Sequence, residues 1–354
     1  MLDLPRLRSE LPDVIAATER ARLVAHRGLA TWGERHVPLA EFRAAAAAEG
    51  VALSAPEREV ARRALLARSA DATPVEGPFA RIAVCGGIYS NRQALAACLE
   101  DAAARGAEAV YCLGDLGGFG PHPEACWPLL LASHTAAGQQ PLTSQPVRCV
   151  QGNYEQSLAS LREDCNCGYT DPRDNHFARL SYSYTARSCS PAFKAWMGAL
   201  PARRRVRLAG PAGDRELLLV HGSPRRVNEF LFASTTPAPL LAMLCAQERC
   251  DGFLCTHTGL PWVRTLPTGE VIANVGVLGR PANDGDLRVR YALVSVGEYG
   301  IEVEIVRLAY DHAALAAEMR AEQLPEEFVE TIESGWWTTC LEVLPARERE
   351  ASRF

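Results

Sequence analysis

The 354-residue chain has no long basic run: its formal charge is −5 and its pI about 6.0. That balance leaves no electrostatic footprint for nucleic acid, so DNA or RNA is not expected as a principal partner. The amino terminus, MLDLPRLRSELPDVI, mixes acids with bases and has no continuous apolar stretch. A signal peptide or a membrane span is therefore not expected, and the reading is cytoplasmic. Also missing is a second ligand pair beside the CxC at Cys165 and Cys167, without which a zinc motif is not specified. The twelve cysteines are scattered, and Cys85, Cys112 and Cys149 fall inside strand-like runs. This usage fits a reduced compartment better than a disulfide scaffold.

What the chain does have is an ordered set of polar residues, each just after a short apolar run: Asp115 in AVYCLGD, Asn153 in VRCVQGN, His221 in LLLVHGSPR and His257 in FLCTHTGLP. Short apolar runs read as buried strands, so all four emerge at strand ends, where an α/β sheet presents its chemistry. A carboxylate, an amide oxygen and two imidazoles suit Zn, Mn or Fe. The set predicts a metal site.

With GDLGGFGPHP, Gly152 and Asn153, HGSPR and NVGVLGRP in this order, the stretch from Arg81 to about Leu308 resembles the calcineurin-like metallophosphoesterases, in particular the small bacterial phosphodiesterase branch. The resemblance implies two facing mixed β-sheets flanked by helices, a four-layer sandwich, and a phosphoesterase acting with two ions that share the G-D aspartate. The departures fall on one ion. Where the family has D-x-H, this chain reads Gly87, Ile88, Tyr89, and the G-H-x-H stretch reads Thr256, His257, Thr258, Gly259. The protein ligands of the second ion survive as Asp115, Asn153, His221 and His257, while the first keeps only Asp115. The expectation is one divalent ion and a degenerate first-metal site. The family's G-N-H-D/E histidine is replaced by Tyr154, a candidate proton donor to the leaving oxygen, with Glu155 and His122 as weaker ones. Tyr89 and Tyr154 read equally well as filler of the vacated volume.

Asn91 opens a helix beside the site and Arg225 follows HGSP; both are candidates for holding a phosphate-like anion, against plain roles as an N-cap and a surface ion pair. Gly276, Gly279 and Arg280 match the closing turn and are expected to support the site. Cys85 and Cys255 lie near the missing and retained ligands. Cys165, Cys167, Asp171, Asp174 and His176 belong to a polar stretch read as an ordered loop, which would line the cavity or add ligands if it folded over the sheet edge. The competing reading is that isolated cysteines act as small core hydrophobes.

The organisation expected is a helical N-terminal extension and linker over 1–78, a core over 79–310 and a helical C-terminal extension over 311–354. Helical composition marks 10–32, 38–49 and 54–69, with a capping-box sequence at Ser54–Glu57 and a linker at Asp71–Pro78. Trp336 and Trp337 are expected to pack on the protein's own core or a second subunit rather than cap the site mouth. A small phosphorylated metabolite or nucleotide is the expected substrate, with no membrane partner and a homo-oligomer left open. Two alternatives stand beside the hydrolase: a degenerate sensor or scaffold binding metal or nucleotide, and a Cys-flanked pocket with non-phosphoester chemistry.

Overall fold

Alternation along the strands builds the core. In the strand Arg81–Cys85, Ile82 and Val84 face one side and Ala83 and Cys85 the other, and all four are buried, so this strand lies between two apolar layers. The computed structural model describes residues 29–32, 35–38, 73–131 and 147–353, and the chain divides into two units, Met1–Pro74 with Gln247–Arg249 and Val75–Ala246 with Cys250–Phe354. In the first unit, β1 (Leu29–Trp32) pairs antiparallel with β2 (Arg35–Pro38). The helix expected over 10–32 therefore does not run to its end: Thr31, Trp32 and Val37 are β-branched or aromatic and take a hairpin. The rest of that helix and those expected over 38–49 and 54–69 lie outside the described residues.

The second unit holds two mixed sheets. The five-stranded sheet has the order β13 (Gly300–Leu308), β12 (Val289–Gly297), β4 (Arg81–Cys85), β5 (Ala109–Cys112), β6 (Val147–Cys149), with β4, β5 and β6 parallel. The six-stranded sheet runs β10 (Trp262–Thr265), β11 (Val271–Asn274), β9 (Gly252–Cys255), β8 (Arg215–Val220), β7 (Arg203–Leu208), β3 (Val75–Phe79), with β8, β9 and β11 parallel. Strand β3 falls inside the stretch read as a linker. Its Gly77 and Pro78 coincide with an irregularity on an edge strand, where a proline's missing N–H is tolerated.

Between the sheets lie Ile82, Val84, Tyr111, Leu217, Leu219, Leu254 and Val294. The outer face of the five-stranded sheet packs against α1 (Arg92–Ala104), α3 (Asn153–Ala159), α4 (Pro172–Ser188) and α5 (Pro191–Ala199), with a short 3₁₀ turn (Pro123–Cys126) and α2 (Trp127–Leu131) beside them. Leu218, Val220, Phe253 and Ile272 face the other way, onto Leu241, Leu244 and Cys245 of α6 (Ala238–Glu248). The layers are thus helices, sheet, sheet, helix, as expected from the sequence. The polar stretch after Arg162 is a loop only as far as Asp171: Pro172 at the first turn and the Asp171 side chain, accepting from Arg173 N, start α4 there. Beyond β13, α7 (His312–Ala321) and α8 (Glu326–Ser334) pack through Leu315, Met319, Phe328 and Ile332. Gly335, at φ 77°, ends α8 before the tryptophan pair, and α9 (Ala346–Glu350) follows. Among the described residues no helix is long and apolar enough to cross a membrane.

Candidate metal centre

Asp115 follows β5, Asn153 follows β6, His221 follows β8 and His257 follows β9. All four stand at carboxyl ends of strands in parallel pairs, two from each sheet, where open α/β sheets place their sites. The glycine before each oxygen ligand has a steric reason. The turns at Gly114 and Gly152 touch: a Cβ on Gly114, at φ 88°, would lie 2.7 Å from Gly152 Cα, and one on Gly152 would lie 2.6 Å from Asp115 N. Asp115 itself is left-handed at φ 56°, a conformation Asp tolerates better than most residues. The buried Glu155 holds both turns, its Oε2 accepting from Asp115 N (2.8 Å) and Gly152 N (2.7 Å) and its Oε1 from Leu116 N (2.9 Å).

Each ligand is aimed by a second contact. His221 Nδ1 faces the Leu113 carbonyl at 2.7 Å, which in a neutral imidazole places the proton on Nδ1 and turns Nε2 towards an ion. His257 Nε2 faces the Cys167 carbonyl at 3.1 Å, which directs Nδ1 towards His221. Asn153 Nδ2 donates to Cys165 O at 2.8 Å, turning Oδ1 inward. His221 Nε2 then stands 3.0 Å from Asn153 Oδ1, 3.0 Å from His257 Nδ1 and 3.3 Å from Asp115 Oδ2. Four potential ligand atoms, Asp115 Oδ2, Asn153 Oδ1, His221 Nε2 and His257 Nδ1, thus converge. Atoms about 2.0–2.2 Å from a shared ion stand roughly 3.0–3.6 Å from one another, so the set fits a divalent cation. Among the described residues, Asp115, His221 and His257 are the one group of three or more Asp, Glu, His or Cys side chains with ligand atoms within 4.8 Å of one another.

The charges are matched to that task. Burial pushes the Asp115 carboxyl up, but the His221 charge and hydrogen bond outweigh it and hold the group below the usual carboxylate range. Burial lowers the His221 imidazole, yet Asp115 draws it above the usual histidine value. Glu155 is pushed up to about 7 by burial and by Asp115, against the three backbone N–H groups it accepts.

The remaining sequence candidates take other places. Asn91 caps α1 through Ala94 N and donates to Leu278 O. Arg225 is paired with Glu229. Tyr154 donates its backbone N–H to Asp115 Oδ1 at 3.2 Å, while its buried hydroxyl is 2.8 Å from Ser181 Oγ and is held protonated by burial. His122 lies 3.9 Å from Glu322 at the periphery. Cys85 and Cys255 are buried in the two outer apolar layers. Cys165 and Cys167 are joined by a disulfide, and their loop supplies the two carbonyls that orient Asn153 and His257. Asp171 caps α4, Asp174 accepts from Val343 N and His176 lies against Phe177. Glu155 was legible only as an acid, although its position three residues after Gly152, in a capping-box arrangement, carried the signal for a staple.

No protein-family model matches the chain. An uncharacterized protein of Methanocaldococcus jannaschii is 23% identical over 263 residues, 69% of this chain and 94% of that protein. A metallophosphoesterase from Sphaerobacter thermophilus superposes with a TM-score of 0.52 at 24% identity, covering 73% of this chain and 99% of that one. A hypothetical protein from Pyrococcus horikoshii does so at 0.57 and 21%, with the same coverage. Two mixed sheets between helices, with an Asp, an Asn and two His at their shared carboxyl edge, have the fold of the metallophosphoesterases.

Proposed function

We propose that the chain is a metal-dependent phosphoesterase-type hydrolase working with one divalent ion, held by Asp115, Asn153, His221 and His257, on a small phosphorylated metabolite or nucleotide. The observation that carries this is the convergence of four potential ligand atoms, His221 Nε2 lying 3.0–3.3 Å from Asn153 Oδ1, His257 Nδ1 and Asp115 Oδ2. When bound, the ion would supply Lewis-acid polarisation of a phosphoryl oxygen. The chain's own residues prepare for it: Leu113 fixes the His221 tautomer, the Cys165–Cys167 loop aims Asn153 and His257, and Glu155 holds the Asp115 turn.

One ion rather than two is supported by the surroundings of the positions that the sequence resemblance assigns to the other. The Tyr89 ring passes 2.9 Å from where a Cβ on Gly87 would stand, so an aspartate there would collide with it. Trp337 lies 3.3 Å from the corresponding point on Gly259. Tyr154 keeps its phenolic proton across neutral pH and is the candidate acid. The same filled volume favours the rival reading, a degenerate binding protein without turnover.

The deciding experiment is elemental analysis of the purified protein and of His221→Ala, with bis-p-nitrophenyl phosphate turnover in added Mn, Zn or Fe. About one ion per chain, lost in the variant together with turnover, is the expected result. Bound metal without turnover on any phosphoester would leave the binding protein and remove the hydrolase.

A further inference from the structure

Arg280 follows Gly279 in the turn after β11 and is 5% exposed. Its guanidinium carbon stands 3.5 Å from the Trp337 ring centroid, 4.8 Å from that of Phe119 and 6.0 Å from that of Tyr89. Among the described residues it makes no hydrogen bond and no ion pair, and its Nε is sealed from solvent without a partner. Two other arginines as deeply buried are both paired, Arg205 with Glu216 and Arg290 with Asp284 and Asp286. Aromatic faces attract a cation, but they do not replace the hydrogen bonds that a guanidinium loses on burial. Arg280 is thus a largely buried, stacked guanidinium with no oxygen partner among the described residues.

Its neighbour has the same character. Tyr89, left-handed at φ 48°, is nearly buried, and among the described residues its hydroxyl makes no hydrogen bond. The turns carrying the two residues adjoin each other and the metal centre: Tyr89 N donates to Asp115 O at 3.0 Å and Gly279 N to Gly87 O at 2.8 Å. An ordinary phenol, with a pKa near about 10, is protonated at neutral pH and so a donor.

We propose that Arg280 and the Tyr89 hydroxyl form the oxyanion receptor of this site, taking a phosphate-like tetrahedral anion beside the Asp115 cluster. A planar guanidinium offers two parallel N–H donors to such an anion, and a phenol O–H adds a third. The place of the receptor in turnover rests on the hydrolase reading, whereas anion binding itself does not require the ion.

The test is calorimetric titration of the metal-free full chain with inorganic phosphate, on wild type, Arg280→Lys and Tyr89→Phe. Lysine keeps the charge but loses the fork and the stack, and phenylalanine removes one oxygen. Saturable binding is expected in wild type, roughly tenfold or more weaker in Arg280→Lys and roughly threefold or more weaker in Tyr89→Phe. If Arg280→Lys does not fold, Tyr89→Phe decides, with its ion count unchanged. Wild type that binds no phosphate at millimolar concentration, or variants that bind it as wild type does, would overturn the receptor. Failure of the metal reading would appear elsewhere, as an ion retained by His221→Ala.

Discussion

Replacing Glu155 tests whether one buried carboxylate holds the two ligand-bearing turns together. Glu155→Ala would leave Asp115 N, Leu116 N and Gly152 N without partners in a region closed to water. Each stranded donor costs about 1–3 kcal/mol, and breaking a buried charged network costs about 3–5 kcal/mol in all, so the loss expected near pH 7 is about 3–5 kcal/mol. Glu155→Gln keeps an oxygen for Asp115 N and Gly152 N and strands Leu116 N alone, for about 1–3 kcal/mol. The pH dependence separates these further. With a folded value of about 7 against an ordinary 4.5, wild-type Glu155 binds its proton more tightly in the folded state. In the metal-free protein, stability should therefore fall as pH rises from about 4.5 to 7, by roughly 3 kcal/mol from this group. Glutamine does not titrate and should remove that part of the slope. His221, also raised, contributes stability that is full below its unfolded value of about 6.5 and is lost as pH rises through its higher folded value, so a residual slope should remain there. Urea unfolding of metal-free wild type and both variants at pH 5 and 7, followed by circular dichroism, measures all of this. An alanine variant within about 1 kcal/mol of wild type, or a glutamine variant with an unchanged pH slope, would refute the staple.

Three further outcomes follow from the same geometry. Metal affinity should drop as pH falls through the folded His221 value, which Asp115 holds above the ordinary 6.5, because protons compete for Nε2; proton release on zinc binding, read in buffers of different ionisation heat, checks this. Cys165→Ser with Cys167→Ser frees the loop whose carbonyls aim Asn153 and His257, and should weaken metal binding about 10–100-fold while leaving the circular dichroism unchanged; wild-type affinity in that variant would show that the loop orients nothing. Gly152→Ala drives a methyl into Asp115 and should lower the thermal midpoint and abolish metal binding together, whereas an Ala that retains its ion would mean the turns are not in contact.

The gathering of the four polar residues was legible because it rests on short-range signals: an apolar run marks a buried strand, and the polar residue after it marks what emerges at the strand end, whereas the layer order was implied by the family resemblance. The runs AVYC before Asp115 and VRC before Asn153 are β5 and β6. Strand β3 was hidden by Gly77 and Pro78, which read as linker although an edge strand accepts both. Arg225 and Asn91 have partners that the sequence did not reveal, for a common reason. A polar side chain's partner is set by tertiary approach, and Glu229 and Leu278 reach them first. Arg280 shows the converse, since nothing in LGRP reveals that Phe119 and Trp337 close on it from segments distant in the chain.

The cluster draws Asp115 and Asn153 from the five-stranded sheet and His221 and His257 from the six-stranded one. An ion bound there is consequently a cross-link between two sheets that otherwise meet through an apolar layer and a few polar contacts, such as those of Tyr111 and Arg148 with Glu76. Sliding one sheet over the other would have to break ligand bonds at one end before the oily layer could part. Occupancy would thus set how long the sandwich lasts as well as what it does, and metal loss would register first as faster exchange of the amides in β5 and β8, far along the strands from the site itself.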